Sequence, residues 1–143
     1  MNAISFIESI DKIKTVYHKN CEKIVEEFNI SVMDFNLIMF FANNLDKNTA
    51  KDFSKMRNVK PNVVSLHVDK LVSSGYLERQ EVVGDRRKIK LICTSKTSEI
   101  VSKGRDMQKD FYLELTKGIS KDEMASFKKT YLTILDNTMN LNK

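Results

Sequence analysis

The segment from Lys60 to Thr94 restricts the fold more than any other part of this chain. It begins KPNVVSLHVDKLVSSG, continues YLERQEVV, turns at GDRR and returns as KIKLICT. Pro61 suits the first turn of a helix, where its missing N–H has no intrahelical partner to lose. Val64, Val68 and Leu71 recur at helical spacing, and Gly75 can adopt the left-handed conformation that ends a helix. In the return strand Ile89, Leu91 and Cys93 alternate with Lys88 and Lys90, which predicts one buried and one cationic face. A short helix followed at once by a hairpin with arginines at its tip is the outline of a winged helix-turn-helix. That geometry puts one helix in the major groove of DNA and two cations near the neighbouring minor groove.

Charge points the same way. A chain of 143 residues has room for one domain. Its formal charge of +5 makes a polyanion a natural partner. From Lys55 to Lys90 nine basic residues face only Asp69, Glu78, Glu81 and Asp85, an excess of five that equals the charge of the whole molecule. The remainder is close to neutral, so the cations form a focused patch. No apolar run approaches the roughly 20 residues needed to cross a bilayer, and the acidic residues within MNAISFIESIDKIK do not suit a signal peptide. Cys21 and Cys93, far apart, form neither a disulfide framework nor a metal motif, which fits a reducing, cytoplasmic setting.

Around this centre the apolar spacing predicts helices. The first runs from about Ile4 to Phe28, with Ile7, Ile10, Ile13, Tyr17, Cys21, Ile24 and Phe28 on one stripe. Ser31 with Asp34 resembles a capping arrangement for a second helix through Phe35, Ile38, Phe41 and Leu45. Thr49 caps a third, TAKDFSKM, and the turn RNVK leads to Pro61. After the hairpin, Thr94 or Ser95 opens a long helix carrying Ile100, Met107, Phe111 and Leu115, broken at Gly118. Ser120 and Glu123 form a capping box for a last helix with Met124, Phe127, Tyr131, Leu135 and Met139. The fold class is mainly α with one β-hairpin wing. The first helix and the last two carry more apolar surface than the small central module can cover, so a homodimer is expected.

The order of elements and the wing resemble the MarR (multiple antibiotic resistance regulator) family of bacterial transcription factors. That family carries Asp-x-Arg followed by a short apolar strand ending in Leu-Thr; here Asp85, Arg86 and Arg87 precede KIKLI, then Cys93 and Thr94. VDKLVSSGYLER, from Val68 to Arg79, is similar to the family's passage from recognition helix to wing. Cys93 stands where leucine is usual, Thr97 where glycine is common, and Leu66 where relatives often have arginine. The resemblance implies a single chain 1–143 with a winged helix-turn-helix over 31–94 and dimerisation helices in 1–30 and 95–143. It also implies that Arg87 approaches DNA while Asp85 shapes the wing tip.

Arg86 and Arg87 suit the narrow, negative minor groove of A·T-rich DNA. Asn62, Ser65, Leu66 and Lys70 should point away from the buried stripe of their helix; Asn62 can pair with adenine, while Ser65 and Leu66 could meet thymine methyls or phosphates. Lys55, Arg57 and Lys60 at the turn, and Lys88 on the wing, suit phosphate. Cys21, beside Tyr17, is a candidate redox sensor by analogy with relatives, against the commoner role of a packing cysteine. His18 and His67 have no metal-ligand spacing, so no metal or other cofactor is expected, and packing is the default for His67.

Three functions compete. One is a homodimeric regulator, a repressor by expectation, on a pseudo-palindromic operator in double-stranded DNA and released by a small-molecule effector or oxidant. Another is a winged-helix protein-interaction module without specific DNA binding, favoured by Leu66 on the reading face. The third, an enzyme, lacks a nucleophile–base pair, a phosphate-cradling glycine loop and clustered carboxylates.

Overall fold

A computed structural model describes residues 1–141. Its elements are α1 (Ala3–Phe28), α2 (Val32–Asn43), α3 (Ala50–Arg57), α4 (Pro61–Ser73), β1 (Leu77–Val82), β2 (Asp85–Cys93), α5 (Ser98–Leu115) and α6 (Lys121–Leu141). The chain divides into two compact units, Met1–Lys109 and Asp110–Lys143.

Local chemistry starts the helices. Ser31 and Asp34 form a complete capping box on α2, Thr49 and Asp52 another on α3, and Asn2 and Ser5 a third on α1. α4 begins with Pro61 at its first position and lacks a side-chain cap. It ends in a paired lock: Tyr76 N–H reaches Leu71 C=O and Gly75 N–H reaches Val72 C=O, with Gly75 at φ +78°. Between α3 and α4, left-handed Asn58 turns the chain and the Ser54 hydroxyl donates to Val59 C=O at 2.6 Å.

The first unit is built around α2. Asp34, Phe35, Leu37, Ile38, Met39, Phe40 and Phe41 are all buried. Phe35, Ile38 and Phe41 are buried as their spacing predicts, and Leu37, Met39 and Phe40 join them, because α2 is covered on nearly every side, packing on α1, α4 and β2. Phe40 meets Phe53 edge-on at 5.2 Å between ring centroids and Phe41 at 5.5 Å. Leu45, expected to continue this helix, is instead 75% exposed beyond its end. The Asn44 amide donates to Phe40 C=O at 2.9 Å and ends the helix before Leu45 is reached.

The hairpin also differs from expectation. Its tip is Val83-Gly84, with Gly84 at φ +86°, and β2 starts at Asp85. Pairing runs from Leu77↔Cys93 to Glu81↔Ile89 and then jumps to Val82↔Asp85, so Arg86, Arg87 and Lys88 are additional residues on β2. Such an insertion breaks the ladder and re-aims side chains. The outer edge of β2 is secured where Leu91 N–H donates to Asn48 C=O at 2.8 Å. Ser95–Thr97 forms a 3-10 turn, so α5 proper begins at Ser98 rather than at Thr94 or Ser95.

In the second unit, Ser120 and Glu123 cap α6 through both reciprocal hydrogen bonds. Phe127 and Tyr131 stack at 6.0 Å on α6, and both are exposed, as are Leu132, Leu135 and Met139. On α1, within the first unit, Ile7, Ile10 and Ile13 are likewise exposed.

Candidate nucleic-acid interface

Val64, Val68 and Leu71 anchor α4 in the core, leaving Asn62, Ser65, Leu66, Asp69, Lys70 and Ser73 on its outer side. Leu66 is 70% exposed. Lys60 lies exposed at the N-cap.

A buried carboxylate tethers one flank of this helix. Asp34 is fully buried on α2, and its Oδ2 accepts from Lys70 Nζ at 2.6 Å while Oδ1 lies 2.7 Å from His67 Nδ1. It also accepts the Ser31 N–H. Burial alone would raise the Asp34 pKa; the bonds from Lys70, His67 and Ser31 outweigh it and hold the carboxyl below its ordinary value. Sequence reasoning saw Asp34 only as a cap, left His67 to packing and aimed Lys70 at DNA. The structure joins all three, because i,i+3 spacing puts His67 and Lys70 on one side of α4 above Asp34. On the adjoining side, Asp69 pairs with Arg79 of β1.

The wing adds a second cationic element. Arg86, Arg87 and Lys88 are exposed, and neither arginine side chain has an ion-pair partner among the described residues. Asp85 Oδ1 accepts the Arg87 N–H at 3.1 Å, closing a small turn that holds this stretch of backbone. The start of α3 and the part of β2 next to the wing tip together line one crevice, which contains Lys51, Lys55, Arg87 and Lys88 beside Asp52 and Asp85. Asp52 is occupied by the Thr49 hydroxyl and N–H; chiefly that hydroxyl bond, with Lys88 and Lys47 nearby, holds its carboxyl below the ordinary value. Lys51 escaped the sequence reading, although its i,i+4 spacing from Lys55 marks both as one outer face of α3. Arg57 lies with its guanidinium 5.8 Å from the Phe40 ring centroid.

Cys21 is fully buried. Desolvation pushes its thiol up, opposed by a hydrogen bond with Tyr17, whose own hydroxyl is pushed up by burial and receives Gln108 Nε2 at 2.8 Å. A redox sensor needs an exposed thiolate, and these surroundings favour the inert thiol of a packing cysteine. Cys93 is also pushed up by burial and donates to Ile38 C=O. Another crevice runs behind the wing between β2 and α5, lined by Leu45, Asn48, Lys90, Cys93, Ser102 and Arg105. Arg105 reaches the neutral acceptors Asn43 Oδ1 and Ala42 C=O there, while buried Asn48 Oδ1 has no partner among the described residues. No group of side chains able to hold a metal ion occurs among the described residues, and no described helix is long and apolar enough to cross a membrane.

Neither protein-family models nor curated proteins show a match to this sequence. Solved structures do. The transcriptional regulator PA3341 superposes with a TM-score of 0.82 at 19% identity, covering 94% of this chain and 98% of that one. A MarR protein from Peptoclostridium difficile gives 0.77 at 17% identity, covering 98% and 90%. The S. aureus MepR–DNA complex gives 0.59 at 16%, covering 90% and 96%. Since such likeness spans nearly the full length of both chains while the sequences have diverged, it speaks to architecture: this chain has the winged-helix fold of the MarR-family transcriptional regulators.

Proposed function

We propose that this protein is a sequence-specific DNA-binding transcriptional regulator, a repressor, acting as a homodimer on a pseudo-palindromic operator. The observation that carries the reading is the pair of exposed, unneutralised wing arginines, with Arg87 in one crevice with Lys51 and Lys55 of α3, in a chain that also exposes the outer side of α4. Arg86 and Arg87 would enter the minor groove, α4 the major groove, and Lys51, Lys55, Lys60 and Lys88 would meet phosphates. Two copies related by a two-fold axis would address half-sites about one helical turn, roughly 10 bp, apart. The exposed apolar residues of α1 and, separately, of α6 support self-association. The crevice behind the wing supports regulation by a small molecule, which would act by favouring one spacing of the two reading heads. The buried, unactivated Cys21 gives release by an oxidant no comparable support. Catalysis has no part in this reading.

A gel-shift titration at physiological salt against the protein's own upstream region tests the proposal. Binding should exceed that to random duplex by at least about a thousandfold in affinity. Arg86→Ala with Arg87→Ala should weaken binding and lower the slope of log K against log salt by about 1 to 2. Equal binding to both DNAs, or an unchanged slope, defeats it in favour of a protein-interaction module.

A further inference from the structure

The outer face of α4 is chemically sparse once its tethers are removed. Lys70 is the sole cation within the helix, and its Nζ is held 2.6 Å from the buried Asp34 carboxylate. Asp69 is held by Arg79. What remains toward the helix N-terminus, the end that reads bases in this motif, is Asn62, Ser65 and Leu66.

Guanine is read through its O6 and N7 acceptors by a paired cationic donor, and cytosine through its amino group by a carboxylate. Both kinds of group on α4 are already engaged within the protein. An amide that can pair with adenine N6 and N7 and an exposed aliphatic side chain are left, and the base-edge group that an aliphatic side chain matches is the thymine methyl. The wing arginines favour the same composition, because A·T-rich minor grooves are narrow and strongly negative.

We infer that Leu66 is a specificity-determining residue that packs on a thymine methyl, and that the tethering of Lys70 to Asp34 keeps a guanine-reading cation off the helix, so each half-site is read as A·T pairs. This rests on the DNA-binding reading above and names the DNA that reading would take. The leucine is wet in the free chain, so covering it against a methyl is favourable, whereas an unmethylated pyrimidine leaves a gap.

The experiment begins with the full-length chain and a random duplex library, from which bound sequences are recovered and read. Two-fold related half-sites rich in A·T are expected. Each thymine of a recovered duplex is then replaced by uracil, which removes only the methyl, and binding is measured by competition. One thymine per half-site should prove sensitive, with about a fourfold loss, the equivalent of ~0.8 kcal/mol for one buried carbon. Leu66→Ala, at a 70% exposed position that folding does not depend on, should bind the thymine and uracil duplexes equally. Leu66→Arg should instead recover a guanine at that place. Tolerance of uracil at every position, or recovered half-sites with G·C pairs under α4, overturns the assignment while leaving DNA binding intact. A library that yields no enriched sequence overturns the DNA reading itself.

Discussion

Asp34 shows how much one side chain organises. It closes the capping box of α2 with Ser31 and, from the same buried carboxylate, holds His67 and Lys70 of the presented helix. Removing one partner of a buried charge cluster is expensive because the others lose their compensation. Lys70 is half-exposed and can regain water, which moderates the loss. Asp34→Ala should therefore cost about 3 kcal/mol in urea unfolding, part of it from the lost cap. The pH dependence has a definite sign. Because the folded state depresses the Asp34 pKa, its contribution is present above the unfolded value of about 4 and disappears as pH falls through the lower, folded value. The stability gap between wild type and Asp34→Asn should thus be constant near neutrality and close on acidification below about pH 4. A gap that persists at low pH would assign the effect to packing rather than charge.

At the scale of elements, α5 and α2 approach closely at Gly104. A methyl placed there would sit 2.5 Å from Met39 Sδ and 3.1 Å from Phe35 Cε2, in a region where Met39 is 3% exposed and Phe35 fully buried. The flexible thioether end of Met39 must move aside within this buried layer and the Phe35 ring limits where it can go, so Gly104→Ala should destabilise by about 1 kcal/mol despite the better helix propensity of alanine. On a Met39→Ala background the same substitution should cost much less, and additivity of the two would show that contact is not the cause. This glycine was invisible in the sequence, where it reads as a weak point in a helical pattern. Capping boxes at Ser31–Asp34 and Ser120–Glu123 were legible because their partners lie three residues apart. The insertion of three extra residues on β2 was not, because it is defined only by what β1 pairs with.

For the whole molecule, the exposed isoleucines of α1 and the exposed aromatic and aliphatic residues of α6 demand cover in water. Self-association should appear in sedimentation as a dimer at micromolar concentration. Ile7→Asp with Ile10→Asp, both at exposed positions of the isolated chain, should shift it toward monomer without unfolding it. If one operator is held by two reading heads, that shift should also cost at least tenfold in DNA affinity through lost avidity. A double variant that remains dimeric would place the contact elsewhere.

The sequence by itself determined what short-range chemistry controls: which side chains cap α2, α3 and α6, that a basic hairpin follows α4, and which side of α4 carries its core residues. Proline, glycine, capping side chains and apolar spacing act within about one turn of chain, so no fold was needed to read them. Only the tertiary structure decided which polar groups are free to meet a partner. Lys70 looked available until Asp34, 36 residues away, took it; Leu45 looked like part of the second helix until Asn44 ended it; and Leu37, Met39 and Phe40 entered the core because α1, α4 and β2 closed around α2. Those outcomes depend on contacts between distant segments, which spacing along the chain does not encode.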